Sequence, residues 1–264
     1  MVTQSDPQHW AEIGNSYLDL LKKCLTRHTG EEVFLAPPLT LPYSTEQLRV
    51  GKFAHQDADT MVGRPRLDNL QRCVETVLAD GVPGDLMETG VWRGGCCILM
   101  RAVLRVWGDQ DRIVWLADSF AGLPAPDTAR YPQDAIYGTD AAKRYIAELA
   151  YPLAIGIDEV RSRFTRYGLL DDQVRFLAGY FAETLPTAPV GDLAVLRLDG
   201  DMYQSTMEAL TFLYGKLSAG GFCVIDDYYA LDSCRSAVTD FRASHGVTDP
   251  IERIDWSGVF WRKG

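Results

Sequence analysis

From Gly84 onward the chain alternates short apolar runs with amphipathic helical segments, and few folds accommodate that alternation. The runs are Asp85–Gly90, Arg112–Asp118, Val174–Gly179, Leu193–Asp199 and Gly221–Asp227. Helical patterns lie between and after them, over Gly94–Trp107, Ala141–Ala150, Gly156–Tyr167, Tyr203–Leu217 and Ser233–His245. Strands that alternate with helices build βαβ units around a parallel sheet. Parallel strands are covered on both faces and therefore read as unbroken apolar runs, as these do. Two last strands, Ile251–Trp256 and Val259–Arg262, meet at Ser257-Gly258, a hairpin signal that adds an antiparallel strand. The prediction is an α/β, Rossmann-like fold with a seven-stranded, mostly parallel sheet and an antiparallel last strand.

Residues 1–80 have a different texture and are expected to form an N-terminal helical lid region, with residues 81–264 as the sheet domain. A helix is expected from Asp6 to Arg27, with apolar Trp10, Ile13, Tyr17, Leu20 and Leu21, and a second from Pro65 to Asp80. Between them Pro37, Pro38 and Pro42 mark an irregular loop. The 264 residues are 47% hydrophobic and 23% charged, the balance of a folded globule. A formal charge of −10 argues against a nucleic-acid partner, because it repels phosphate backbones. There is no run of 18 apolar residues, so no membrane span is expected. Residues Met1–Pro7 lack a basic and apolar leader, which predicts a cytoplasmic protein. The six cysteines form no C-x-x-C pair and do not read as a zinc site; Cys97 and Cys223 are expected to be small buried hydrophobes.

The chemistry is expected where the strands end, since open α/β sheets bind ligands outside the carboxyl ends of their strands. Glu88, Asp118, Asp199 with Asp201, and Asp226 with Asp227 put six carboxylates on one rim. The turn Glu88-Thr89-Gly90-Val91-Trp92-Arg93-Gly94-Gly95 is glycine-rich but lacks the G-x-G-x-x-G spacing for a pyrophosphate. An acid beside it would repel phosphate and suit a cation. S-adenosylmethionine, with a sulfonium and an ammonium and no phosphate, fits. Asp118 then suits the ribose hydroxyls. At the other end, Asp199, Asp226 and Asp227 come from strands expected to be neighbours, and no Lys or Arg falls within two residues of Asp226 or Asp227. Uncompensated, each close pair would repel by about 4 kcal/mol at an effective dielectric of about 20. Either the group shares protons or a hard, oxygen-seeking dication such as Mg²⁺ sits there.

Seven strands with that ending are the pattern of class I methyltransferases, and the motifs resemble one family of them: the macrocin O-methyltransferase-like enzymes of antibiotic biosynthesis. The matching segments are Thr60-Met61-Val62-Gly63, Arg66–Leu70, Gly84–Gly95, Ala117–Phe120, Gly179-Tyr180-Phe181 with Thr184-Leu185-Pro186, Leu196–Tyr203 and Gly220–Tyr228. The likeness covers about residues 40 to 262. It implies methyl transfer from S-adenosylmethionine to a deoxysugar hydroxyl of a glycosylated natural product. It further implies Asp199, Asp226 and Asp227 as Mg²⁺ ligands and Asp201 as the general base, with Asp199 also in the catalytic group. Glu88, Thr89, Gly90, Asp118, Ser119, Gly179, Tyr180 and Phe181 are implied near the cofactor, with Thr60 and Met61 folding over it. A homodimer or larger assembly and a mobile lid built from the N-terminal segment and the 121–140 loop are also implied.

Rival readings are a catechol-type O-methyltransferase using the same metal, a nicotinamide oxidoreductase, which Glu88 and the missing second glycine oppose, and a non-catalytic S-adenosylmethionine sensor, which the retained acids oppose. Tyr228 and Tyr229 either line an acceptor pocket or pack under the lid. Trp256 and Trp261 are expected in the core, and His245 as a helix cap.

Overall fold

The computed structural model describes residues 7–28, 45–147 and 152–264. The loop expected around Pro37, Pro38 and Pro42, and the last residues of the helix expected over 141–150, lie outside the described residues. The strands are β1 (Asp85–Thr89), β2 (Val114–Asp118), β3 (Val174–Ala178), β4 (Leu193–Leu198), β5 (Leu217–Ile225), β6 (Glu252–Arg253) and β7 (Val259–Arg262). The helices are α1 (Pro7–Thr26), α2 (Thr45–Arg49), α3 (Arg64–Ala79), α4 (Gly95–Trp107), α5 (Asp140–Ala147), α6 (Ile157–Arg166), α7 (Phe181–Thr184), α8 (Tyr203–Leu213) and α9 (Asp232–Ser244).

These strands form one sheet in the order β3-β2-β1-β4-β5-β7-β6, parallel from β3 to β5, with β7 antiparallel to both its neighbours. This is the predicted seven-stranded fold. Chain order reverses between β1 and β4, so their carboxyl ends flank the crevice where such sheets bind ligands. The β4 run Leu-Ala-Val-Leu-Arg-Leu is buried throughout, as a central strand covered on both faces must be. Helices α1, α3 and α4 pack in one core layer, and α8 and α9 in the other. The first turns of α4, from Gly95 to Leu104, are wholly buried. The charge of Arg101 within that stretch is met by Asp171, through two hydrogen bonds of 2.9 and 2.6 Å. Along α1, Leu18, Leu21 and Leu25 meet the core, whereas Trp10, Ile13, Tyr17 and Leu20 lie exposed.

Two elements differ from expectation for physical reasons. The strand expected to start at Gly221 starts at Leu217, and the preceding helix ends at Leu213 in a 3-10 turn. Gly220 and Gly221 read as breakers, but they sit in an irregularity that moves the β4–β5 register from Leu193↔Leu217 to Val195↔Phe222. The strand expected over Ile251–Trp256 shrinks to Glu252–Arg253, because the Asp255 carboxylate turns the chain by accepting from the amides of Ser257 and Gly258 at 2.9 and 2.8 Å.

The 121–140 segment, expected as a mobile lid, is fastened at its middle. It carries a 3-10 helix over Pro132–Gly138. Its fully buried Asp134 accepts from the amides of Tyr203 at 2.7 Å and Gln204 at 2.9 Å, capping the start of α8. Asp134→Ala is expected to cost about 0.5–2 kcal/mol of stability and to speed proteolysis within 121–140; denaturant unfolding and limited digestion check both.

Candidate active site

The cavity over the carboxyl rim of the sheet has a volume of about 990 Å³, the upper end for a ligand pocket and roomy enough for two ligands. Of the predicted site residues, Met61, Gly90, Asp118, Ser119, Tyr180, Phe181, Asp199, Asp201, Asp226 and Asp227 line it. Thr60, Glu88, Thr89 and Gly179 do not. Thr60 is buried, its hydroxyl accepting from the Val62 amide at 3.2 Å. Thr89 is enclosed within β1. Gly179 makes the turn after β3, donating its amide to the Asp118 carbonyl at 2.9 Å. The Glu88 carboxylate, expected to face a cationic ligand, is instead spent inside the sheet: it pairs with Arg197 and accepts from the Cys97 thiol at 2.7 Å.

On the β1–β2 side the backbone bends sharply beside the cavity. Gly90 has a positive φ of 82°, and a Cβ there would overlap the Asp199 carbonyl oxygen. Trp92, Phe120 and Asp201, all non-glycine, also hold positive φ where β1, β2 and β4 end, the kind of strain that collects at functional sites. Asp118 braces this bend. Its Oδ2 accepts from the Val91 amide at 2.7 Å and its Oδ1 from the Phe120 amide at 2.8 Å. Each oxygen also takes a second, longer contact of 3.4 Å, Oδ2 from the Trp92 amide and Oδ1 from the Ser119 hydroxyl, the kind a stronger ligand donor displaces.

On the β4–β5 side the acids do converge, but not without cations. Oxygens of Asp199, Asp226 and Asp227 lie within 4.8 Å of one another. Asp226 is paired on one oxygen with Arg66 and on the other with Arg197, which also donates to Asp199 at 2.9 Å. The expectation of an uncompensated cluster is therefore corrected. The arginines come from α3 and from within β4, beyond the two-residue neighbourhood of Asp226 and Asp227. The residues still suit a hard dication. The donors are all oxygens, and Asp227 Oδ2 is buried with no hydrogen-bond partner. Burial, reinforced by the Asp199 and Asp226 charges, pushes the Asp201 carboxyl up to about 7. Burial first, and then Asp201, Asp199 and Asp226, raise Asp227 well above the usual carboxylate range.

Several lining residues went unread in the sequence. Tyr137 hydrogen-bonds Ser233 at 3.3 Å, and Ser233 donates to the Asp201 carbonyl at 3.1 Å, so the 121–140 segment reaches the rim. Gln204 and Ser257 also face the cavity. Arg197 did carry a signal: it is a charge inside an otherwise apolar run, two residues before Asp199 and so on the same face. Trp256, expected in the core, lines the cavity and donates to the Val50 carbonyl at 2.9 Å, whereas Trp261 is core. Tyr228 packs against the core and Tyr229 is exposed; neither lines the cavity. His245 sits at the C-cap of α9, its Nδ1 3.0 Å from the Phe241 carbonyl.

Residues 41–263 match the family model described as Macrocin-O-methyltransferase (TylF). This chain belongs to the macrocin O-methyltransferase family. It is 54% identical over 250 residues to 8-demethyl-8-(2,3-dimethoxy-alpha-L-rhamnosyl)-tetracenomycin-C 4'-O-methyltransferase of Streptomyces olivaceus, covering 93% of this chain and 92% of that one. It is 47% identical over 249 residues to mycinamicin III 3''-O-methyltransferase of Micromonospora griseorubida, covering 94% and 96%. Among solved structures, the O-methyltransferase NovP superposes with a TM-score of 0.86 at 45% identity, covering 95% of this chain and 99% of that one. The protein is thus an O-methyltransferase, and the rim just described is the candidate site for its chemistry. In this macrocin O-methyltransferase family member, Gly90→Ala is expected to cost about 3 kcal/mol or more, from strain combined with a backbone clash; a thermal melt against wild type measures it.

Proposed function

We propose that the enzyme moves a methyl group from S-adenosylmethionine to a deoxysugar hydroxyl of a glycosylated natural product, with Mg²⁺ held by Asp199, Asp226 and Asp227. One observation carries the reading: a single cavity joins the bent crevice at Gly90 and Asp118 to an all-oxygen triad containing an unpartnered Asp227 Oδ2. The acceptor class is supported by the relatives, one of which is named for a rhamnosyl-bearing tetracenomycin. When bound, Mg²⁺ supplies a Lewis acid that lowers the pKa of a neighbouring alcohol, and S-adenosylmethionine supplies an electrophilic methyl on a sulfonium.

The chain's residues do the rest. Asp201, on the cavity wall beside the triad, takes the proton of the acceptor hydroxyl at a carboxylate oxygen. Asp118 would orient the ribose by exchanging its long contacts with the Trp92 amide and the Ser119 hydroxyl for the ribose hydroxyls, while Val91 and Phe120 hold the carboxylate in place. Met61, Tyr180 and Phe181 enclose the cofactor. Leu123, Ile136 and Ile146 give the cavity an apolar wall that excludes water from a reaction in which opposite charges meet. Tyr137, Gln204 and Ser233 offer hydroxyl and amide partners to a sugar beside Asp201.

The same reading puts the enzyme in the cytoplasm as a homodimer. All six cysteines are free, which suits a reducing compartment. Among the described residues no helix is long and apolar enough to cross a membrane. The exposed stripe of Trp10, Ile13, Tyr17 and Leu20 on α1 would be covered by a second copy.

Asp201→Asn is expected to lower turnover about 10²–10⁴-fold while S-adenosylhomocysteine binding holds; single-turnover assay and calorimetry separate the two. Unchanged turnover would make Asp201 a bystander. Asp227→Ala is expected to abolish both activity and its stimulation by Mg²⁺. A rhamnosylated polyketide should be methylated and a catechol should not; the reverse result would favour the catechol reading. Thermal stability supplies a check without substrate. Asp201 titrates higher folded than the ordinary value of about 3.9, so without metal its contribution is fully present below about pH 4 and is lost as pH rises through about 7. A divalent ion replaces the proton, so the rise in Tm on adding Mg²⁺ should be larger at about pH 8 than at about pH 5.

A further inference from the structure

We infer that Arg197 and Arg66 are positioning residues for the metal site: their guanidinium groups hold Asp226 between them and fix its spacing from Asp199, so that the triad is assembled before an ion arrives. The inference rests on the Mg²⁺ reading above and concerns residues that touch neither metal nor substrate in it.

Arg197 lies within β4 and is only 2% exposed. Its Nη1 donates to Glu88 Oε1 and, at 2.9 Å, to Asp199 Oδ2, and its Nη2 donates to Asp226 Oδ1. Arg66 lies on α3 and is 7% exposed. Its Nη1 donates to Asp226 Oδ2, its Nε to Asp255 Oδ2 at 3.0 Å and its Nη2 to the Gly51 carbonyl at 3.2 Å. Each oxygen of Asp226 is thus pinned by a different arginine, and one fork ties Asp226 to Asp199 across two neighbouring strands.

Each arginine also holds a carboxylate outside the triad, Glu88 for Arg197 and Asp255 for Arg66. Those outer acids share the positive charge, so the arginines arrange the triad without cancelling its attraction for a cation. A lysine would keep the charge but lose the planar fork, because its ammonium is a point donor on a flexible stem. Arg→Lys therefore removes the positioning and leaves the electrostatics nearly in place.

The experiment is calorimetric titration of Mg²⁺ and of Mn²⁺ into the full-length protein, with Tm and metal-free S-adenosylhomocysteine affinity as companions. Arg197→Lys and Arg66→Lys are each expected to weaken metal binding about 10-fold or more, the usual cost of losing an outer-shell partner, while S-adenosylhomocysteine affinity stays within about twofold. Folded variants that bind metal as wild type does would overturn the inference and leave the Mg²⁺ reading intact. A wild type without saturable metal binding would overturn both. Should neither lysine variant fold, Asp255→Asn keeps the turn at Ser257 while releasing one arm of Arg66. It is expected to weaken metal binding in the same direction, and unchanged affinity there would count against the inference equally.

Discussion

A guanidinium buried in the middle of a parallel sheet governs this molecule. Arg197 sits where the β4 pattern calls for another aliphatic residue, in an environment that penalises an unpaired charge by several kcal/mol. That penalty is tolerable only because Glu88, Asp199 and Asp226 surround it. The dependence runs both ways: the acids could not crowd the ends of β1, β4 and β5 without a cation beneath them. Removing either side leaves uncompensated charge where water does not reach.

That arrangement divides the rim into two functions. Beside β1 and β2, backbone curvature prevails, in Gly90 and the Asp118-braced bend. Beside β4 and β5, side-chain charge prevails. The two halves meet because β1 and β4 are adjacent, and that adjacency is a property of strand order rather than of any single residue.

Much of this was legible in the sequence, and the boundary of legibility is physical. Unbroken apolar runs gave the strands, and the acids near the ends of four of the five runs marked the rim, since both depend on near neighbours in the chain. The neutralisation of Asp226 was not legible, because Arg66 lies 160 residues away and only tertiary folding brings it in. Glu88 was misdirected for a related reason. A strand residue points to one face or the other, and the sequence alone did not show that this carboxylate faces Arg197 and Cys97 rather than the crevice. Trp256 looked like core because indoles usually are; here its N–H finds the Val50 carbonyl and its ring stacks under Arg66 at the cavity wall, 5.7 Å from guanidinium carbon to ring centroid.

The cap that Asp134 places on α8 divides the stretch from 121 to 140 into two arms anchored at a shared post. Because the post bears directly on the amides two and three residues past Asp201, the arms can change length and composition while the stretch that carries Asp201 stays put. Changes in those arms would reshape the cavity wall through Leu123, Ile136 and Tyr137, while the post keeps the start of α8 in place.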